Sequence, residues 1–192
     1  MVPSDLIKCI LRCQVDMIWN GGIGTFIKSS HEDNAQACDR TNNSIRVDAD
    51  QVKSKVVCEG GNLGVTQLGR IQFASLGGSI NTDFIDNSAG VDCSDHEVNI
   101  KIMLNRVVDD GLLNEKQRNQ LLQKMTDDVA ALVLQDNYDQ NRVICQCFEV
   151  SPSYMTLYAN FIKHHELAGN INRELDFLPS NAQLSDRIKR GV

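Results

Sequence analysis

The chain has 192 residues, 42% of them hydrophobic and 23% charged, with a formal net charge of −6. That suits one ordinary globular domain, or one with a small helical appendage. It excludes a nucleic-acid binder, since the largest basic group is Arg187, Lys189 and Arg190 at the very end. It excludes a membrane span too, because no apolar run approaches ~20 residues.

Residues 4–13 read as a short helix capped by Ser4, with Leu6, Ile7, Ile10 and Leu11 on one face. Asp5, Lys8 and Arg12 interrupt the segment, so it lacks the layout of a signal peptide, and a cytoplasmic protein is expected. Val15 to Trp19 reads as a buried strand that stops at Asn20-Gly21-Gly22. Residues 28–52 are polar and irregular, and read as a long surface excursion with room for a short helix or strand inside. Lys55 to Cys58 is a second strand, ending in Glu59-Gly60-Gly61-Asn62. Thr66 caps a helix running to Leu76, with Ile71 and Ala74 facing inward and Gly77-Gly78 as its stop. Ile80 to Ile85 reads as a third, polar strand that runs into Asp86-Asn87-Ser88-Ala89-Gly90-Val91.

From Ser94 the period becomes helical. Ser94 and Glu97 have the spacing of a capping box, followed by Ile100, Met103, Leu104, Val107 and Val108, with Gly111 as terminator. Asn114 and Gln117 open a second helix whose stripe is Leu121, Leu122, Met125, Val129, Leu132 and Val133. Ser151-Pro152 opens a third, with Tyr154, Leu157, Tyr158, Phe161 and Ile162 on one face and Gly169 after it. Alternation of strands and helices in the first half implies an α/β fold with a parallel sheet, followed by an all-helical segment. The boundary falls in the Gly111–Asn114 turn, giving residues 1–112 and 113–192.

The chemistry is concentrated where strands end. Asn20-Gly21-Gly22, Glu59-Gly60-Gly61-Asn62 and Asn87 to Gly90 each follow a strand, and ligands of open parallel sheets bind beyond the carboxyl ends of strands. Glycine lets backbone approach a ligand closely, and an asparagine amide offers a donor and an acceptor together. Any one such loop is more often a plain turn; three in succession at one rim indicate a site. Gly22-Ile23-Gly24 is not a dinucleotide fingerprint, because Ile27 stands where the third glycine belongs.

Ser94 is a helix cap, and its position at a helix N-terminus suits a carboxylate ligand as well. His96 is more readily a hydrogen-bonded structural histidine than a catalytic one. Asp83, Asp86, Asp92 and Asp95 read as loop and cap residues, with a metal site the minority alternative. Seven scattered cysteines in mostly apolar surroundings point to reduced thiols. Cys9/Cys13 and Cys145/Cys147 lack a second ligand pair at zinc-like spacing, so no metal is expected.

Three stretches resemble the large bacterial NAD-specific glutamate dehydrogenases: Asp16 to Thr25, Lys55 to Gln67 and Ile80 to Lys101. The smaller hexameric glutamate dehydrogenases are a more distant match. Their Glu-Gly-Ala-Asn motif is similar to Glu59-Gly60-Gly61-Asn62, and their Asn-Ala-Gly-Gly-Val motif to Asn87-Ser88-Ala89-Gly90-Val91. The resemblance implies that residues 1–112 are the C-terminal part of a Rossmann-like NAD-binding domain. It implies a cofactor site of Asn20, Gly21, Gly22, Glu59, Gly60, Gly61, Asn62, Asn87 and Gly90, with Asn62 and Asn87 at the nicotinamide. Ser94 would bind the substrate, L-glutamate or 2-oxoglutarate. The glycine-rich pyrophosphate turn and the family's catalytic lysine and aspartate are not found, so the chain is expected to be a piece of a longer enzyme. No catalytic residue is assigned within it, and homo-oligomerisation is expected of the whole protein. Two alternatives stay open: a non-catalytic helical interaction module, and a dehydrogenase for another amino acid.

Overall fold

The computed structural model describes residues 2–191. They fold as two compact units, one reaching to Tyr138 and the other starting at Asp139.

The first unit is α/β. Helix α1 (Pro3–Leu11) precedes strand β1 (Met17–Asn20), then come two short strands, β2 (Ile27–Lys28) and β3 (Val47–Asp48), and a 3-10 turn (Ala49–Gln51). Strand β4 (Val56–Glu59), helix α2 (Gln67–Ser75), strand β5 (Ser79–Ile80) and the single helical turn α3 (Asp83–Asp86) follow. Helices α4 (Asp92–Asp109) and α5 (Glu115–Lys124) lead to α6 (Thr126–Leu167). Strand β4 lies between β1 and β5 in a fully parallel sheet, with Asn20 beside Glu59 and Ile80 beside Val57. A separate parallel pair joins β2 to β3. A parallel sheet ends all its strands at one rim, so the loops after β1 and β4 start side by side.

Several local expectations change. Proline at the first position of α1 needs no N–H, and Val2, not Ser4, is the N-cap. β1 is an edge strand rather than a buried one, with Met17 and Trp19 exposed. The polar stretch 28–52 is not a surface excursion. Val47, Ala49 and Val52 enter the core with Ile27, Val57, Val65 and Phe73. The buried guanidinium of Arg46 stitches this stretch together, donating from Nε to the Thr25 carbonyl and from Nη1 to Asn34 and Asn43. A single arginine with five donors thus satisfies what the irregular backbone leaves open. The inner face of α2 is Gly69, Arg70 and Phe73, while Ile71 and Ala74 point to solvent.

The third strand stops at Ile80. Ile85 and Asp86 N–H donate to the Thr82 carbonyl and Asn87 N–H to that of Asp83, so Asp83 to Asp86 close into α3. Polar, turn-forming residues favour that outcome over a strand. Helix α4 begins at Asp92, not after Ser94. The Asn87 and Ser88 carbonyls already accept from Val91, Asp92 and Cys93 N–H, so little of the first turn is left to cap. The second long stripe is divided at Met125, where α5 ends. The capping box of Asn114 and Gln117 and the glycine stop at Gly111 are present as expected.

The second unit holds the rest of α6 and helix α7 (Asn181–Arg190). Pro152 does not start a helix but lies inside α6. Gly169, with φ +76°, ends α6, and Ser180 with Gln183 forms a capping box at the head of α7. No helix among the described residues is long and apolar enough to cross a membrane.

Candidate functional site

The site is built where β1 and β4 end. Asn20 carbonyl accepts from Gly60 N–H at 2.8 Å, which ties the two loops together as they leave the sheet. Between them lies the Trp19 indole. A Cβ on Gly60 would fall 2.8 Å from its Cζ2, and one on Gly21 would fall 3.3 Å from Nε1. At Gly61 a Cβ would sit 2.5 Å from the Gly22 carbonyl oxygen. The two loops therefore touch backbone to backbone, an approach that a side chain at Gly61 would block.

The third loop joins them through the two asparagines. Asn87 Nδ2 donates to Asn62 Oδ1 at 2.8 Å. Gly90 gives the Asn87 amide its room, since a Cβ there would meet Oδ1 at 2.6 Å. The bends at 20, 62 and 87 thus converge on one rim of one sheet.

Beneath this rim lies a buried charge pair. The Glu59 side chain is fully buried, and its Oε2 accepts from Arg70 Nη2 of α2 at 2.5 Å. Burial pushes the Glu59 carboxyl above the usual range, an effect that the Arg70 guanidinium opposes. Arg70 Nη1 also donates to the Asn81 carbonyl, so one guanidinium fastens the end of β4 to the segment carrying α3. The Cys58 thiol is pushed up by burial and by the Asp86 charge. All seven cysteines are free; Cys58 and Cys93 are half-buried and the other five exposed, contrary to their apolar sequence surroundings.

Ser94 is the third residue of α4 and is exposed. His96 Nε2 lies 3.1 Å from Asp136 Oδ2 on α6 and 3.5 Å from Asp92 Oδ1. The first contact joins α4 to α6, and the second lies within α4, one turn apart. Asp92, His96 and Asp136 each offer a ligand atom within 4.8 Å of the others. Asp83 and Asp86 accept the backbone N–H groups of Leu63 and Glu59, respectively.

The family model described as bacterial NAD-glutamate dehydrogenase, catalytic domain, matches residues 1–147. This chain belongs to that family. It is 50% identical over 191 residues to a protein of Pseudomonas aeruginosa named NAD-specific glutamate dehydrogenase, matching all of this chain and 12% of that protein. Proteins of the same name from Halomonas elongata and Mycobacterium tuberculosis are 51% and 50% identical, over 97% and 100% of this chain and again 12% of their own length. The chain therefore spans about an eighth of these relatives. Within this glutamate dehydrogenase segment, the contributors that sequence reading missed are Arg70, the Trp19 spacer and Asn137. Asn137 Nδ2 on α6 donates to the Ile85 carbonyl at 2.6 Å and to Ser88 Oγ at 3.2 Å, bracing the third loop. Arg70 had a signal in principle, as a charge on the inner face of an amphipathic helix. Asn137 had none, lying 49 residues from Ser88.

Proposed function

We propose that this chain forms the nicotinamide side of the cofactor site in an NAD-dependent glutamate dehydrogenase. The reaction is oxidative deamination of L-glutamate to 2-oxoglutarate and ammonia, in which NAD accepts the hydride. On this reading the three parallel strands belong to the C-terminal part of a Rossmann-like domain over residues 1–112, and residues 113–192 form the helical segment after it.

The observation that carries the proposal is the contact between Asn62 and Asn87. Their mutual hydrogen bond uses one amide donor and one acceptor. It leaves Asn62 an NH2 group and Asn87 an oxygen, the complement of a carboxamide. Glycine at 21 and 60 makes room for the Trp19 indole, and glycine at 61 for the Gly22 carbonyl, which draws together the loops that carry the asparagines. Asn20, Gly21, Gly22, Gly60, Gly61 and Gly90 bring backbone to the cofactor, while Glu59 supports them from below through Arg70. Ser94, in the first turn of α4, is proposed to meet the substrate carboxylate. These groups orient the nicotinamide against the substrate Cα and exclude water from one side of it.

The test is Asn62→Ala and Asn87→Ala in the full-length enzyme. Each is expected to weaken NAD binding about tenfold, the scale of one lost hydrogen bond to a ligand. Unchanged NAD affinity and turnover would favour the second reading, a non-catalytic module whose helices mediate domain or subunit contacts. That reading has its own support in the exposed Phe148, Leu157 and Phe161 of α6.

A further inference from the structure

The turn α3 spans four residues and has a carboxylate at each end. Asp83 Oδ2 accepts Leu63 N–H at 2.7 Å, and Asp86 Oδ2 accepts Glu59 N–H at 3.2 Å. Asp86 Oδ1 accepts in turn from Asn81 Nδ2 at 3.1 Å. The Glu59-Gly60-Gly61-Asn62-Leu63 loop is thus gripped at both ends by one helical turn. The turn also supplies the other half of the asparagine pair, because Asn87 directly follows it.

Asp83 stands at the junction. Its carboxylate holds Leu63, next to Asn62, while its own carbonyl accepts Asn87 N–H at 2.8 Å. One residue thus sets the spacing between the two amides. Leu63 has reason to need holding. Its φ is +61°, in the left-handed region, which costs a non-glycine residue roughly 1 kcal/mol. On its other side, Thr25 Oγ1 donates to the Leu63 carbonyl at 2.7 Å. The two peptide groups of Leu63 are therefore fixed by separate side chains, and its own side chain is 68% exposed and contributes little to its packing.

We infer that Asp83 is a positioning residue for the cofactor site: it holds Leu63 in the left-handed conformation and thereby sets Asn62 against Asn87. Asp86 secures the opposite end of the same loop. This inference rests on the assignment of the two asparagines to the nicotinamide, and its consequence is a residue that touches no ligand yet governs NAD affinity.

The experiment is steady-state kinetics on the full-length enzyme with four variants. Asp83→Ala is expected to raise the KM for NAD about tenfold, the equivalent of ~1.4 kcal/mol, with a smaller change in the KM for glutamate. Asp83→Asn keeps an oxygen acceptor for Leu63 N–H and is expected to recover most of that loss. Leu63→Gly adopts a positive φ without strain, so combining it with Asp83→Ala is expected to show a smaller loss than Asp83→Ala alone. Asn62→Ala is the reference for the asparagine assignment itself. If Asn62→Ala weakens NAD binding and Asp83→Ala does not, the positioning role is overturned and the assignment stands. If Asn62→Ala has no effect, the assignment fails and takes the inference with it. Equal losses in the alanine and asparagine variants, or parallel losses for both substrates with a lowered melting temperature, would also overturn positioning. Should Asp83→Ala yield no folded enzyme, Asp83→Glu, which shifts the acceptor by one methylene, replaces it under the same outcomes.

Discussion

A glycine whose missing side chain would strike backbone behaves differently from one in open space, and positions 61 and 22 allow the difference to be measured. A Cβ at Gly61 would lie 2.5 Å from the Gly22 carbonyl oxygen, a backbone atom that cannot rotate away. A Cβ at Gly22 would meet nothing within 4 Å. Gly61→Ala is therefore expected to destabilise the first unit by about 1–3 kcal/mol, the usual cost of forcing extra volume into a filled space. Gly22→Ala should lie within roughly 0.5 kcal/mol of the parent, as for an unencumbered surface change. Urea unfolding of the two variants side by side checks this, and equal midpoints would contradict the close approach of the loops. The sequence made Gly61 visible as a departure from the alanine of the hexameric enzymes. What it could not convey was the cause, since the obstructing atom belongs to a residue 39 positions earlier. Ser94 failed as a helix cap for a related reason: its Ser-x-x-Glu spacing is genuine, but the carbonyls of Asn87 and Ser88 had already filled the first turn.

Elements with strong periodicity and clear ends were legible, among them α2 with its Thr66 cap and α5 with its Asn114–Gln117 box. The two-residue strands β2 and β3 could not be placed, although a short strand within residues 28–52 was open, because a polar stretch with Val47 and Ala49 at its end carries no period, and its order comes from Arg46 reaching across it. Helix α7 was overlooked although Ser180 and Gln183 give it the same capping signal. Pro152 misled in the opposite direction. Proline favours a helix start, yet here α6 continues through it. Residue 152 has no N–H for the Phe148 carbonyl, and Ser151 Oγ donates to that carbonyl instead, at 2.8 Å. The neighbouring hydroxyl thus repairs the broken rung. Pro152→Ala would restore the ordinary backbone bond and remove the ring clash, and is expected to stabilise the second unit by about 2 kcal/mol, less than the full cost of an interior proline because Ser151 already offsets part of it. Calorimetry would register a higher melting temperature. A lower one would mean that the proline is tied into contacts the helix itself does not account for.

At the scale of the whole molecule, the rim that carries the site is open. Ile23 is 88% exposed, and Trp19 and Leu63 are also more than half exposed, so apolar side chains surround the three loops without cover. Isolated exposed apolar residues are ordinary, but three around one candidate crevice mark a surface made to be covered. Hydride transfer needs the nicotinamide pressed against the substrate Cα in a site that excludes water. On the proposed reading this chain would form one wall of such a site, and its relatives are about eight times longer. The 192-residue chain on its own is therefore expected to show no glutamate-dependent reduction of NAD, followed as NADH absorbance at saturating concentrations of both substrates. Weak NAD binding by the isolated chain is compatible with this, because Asn62 and Asn87 are already paired within it. Turnover is not, because nothing among the described residues has been assigned as proton acceptor for the substrate amine. Sustained NADH formation by the chain alone would show that the opposite wall is dispensable, and would move the catalytic groups into this segment.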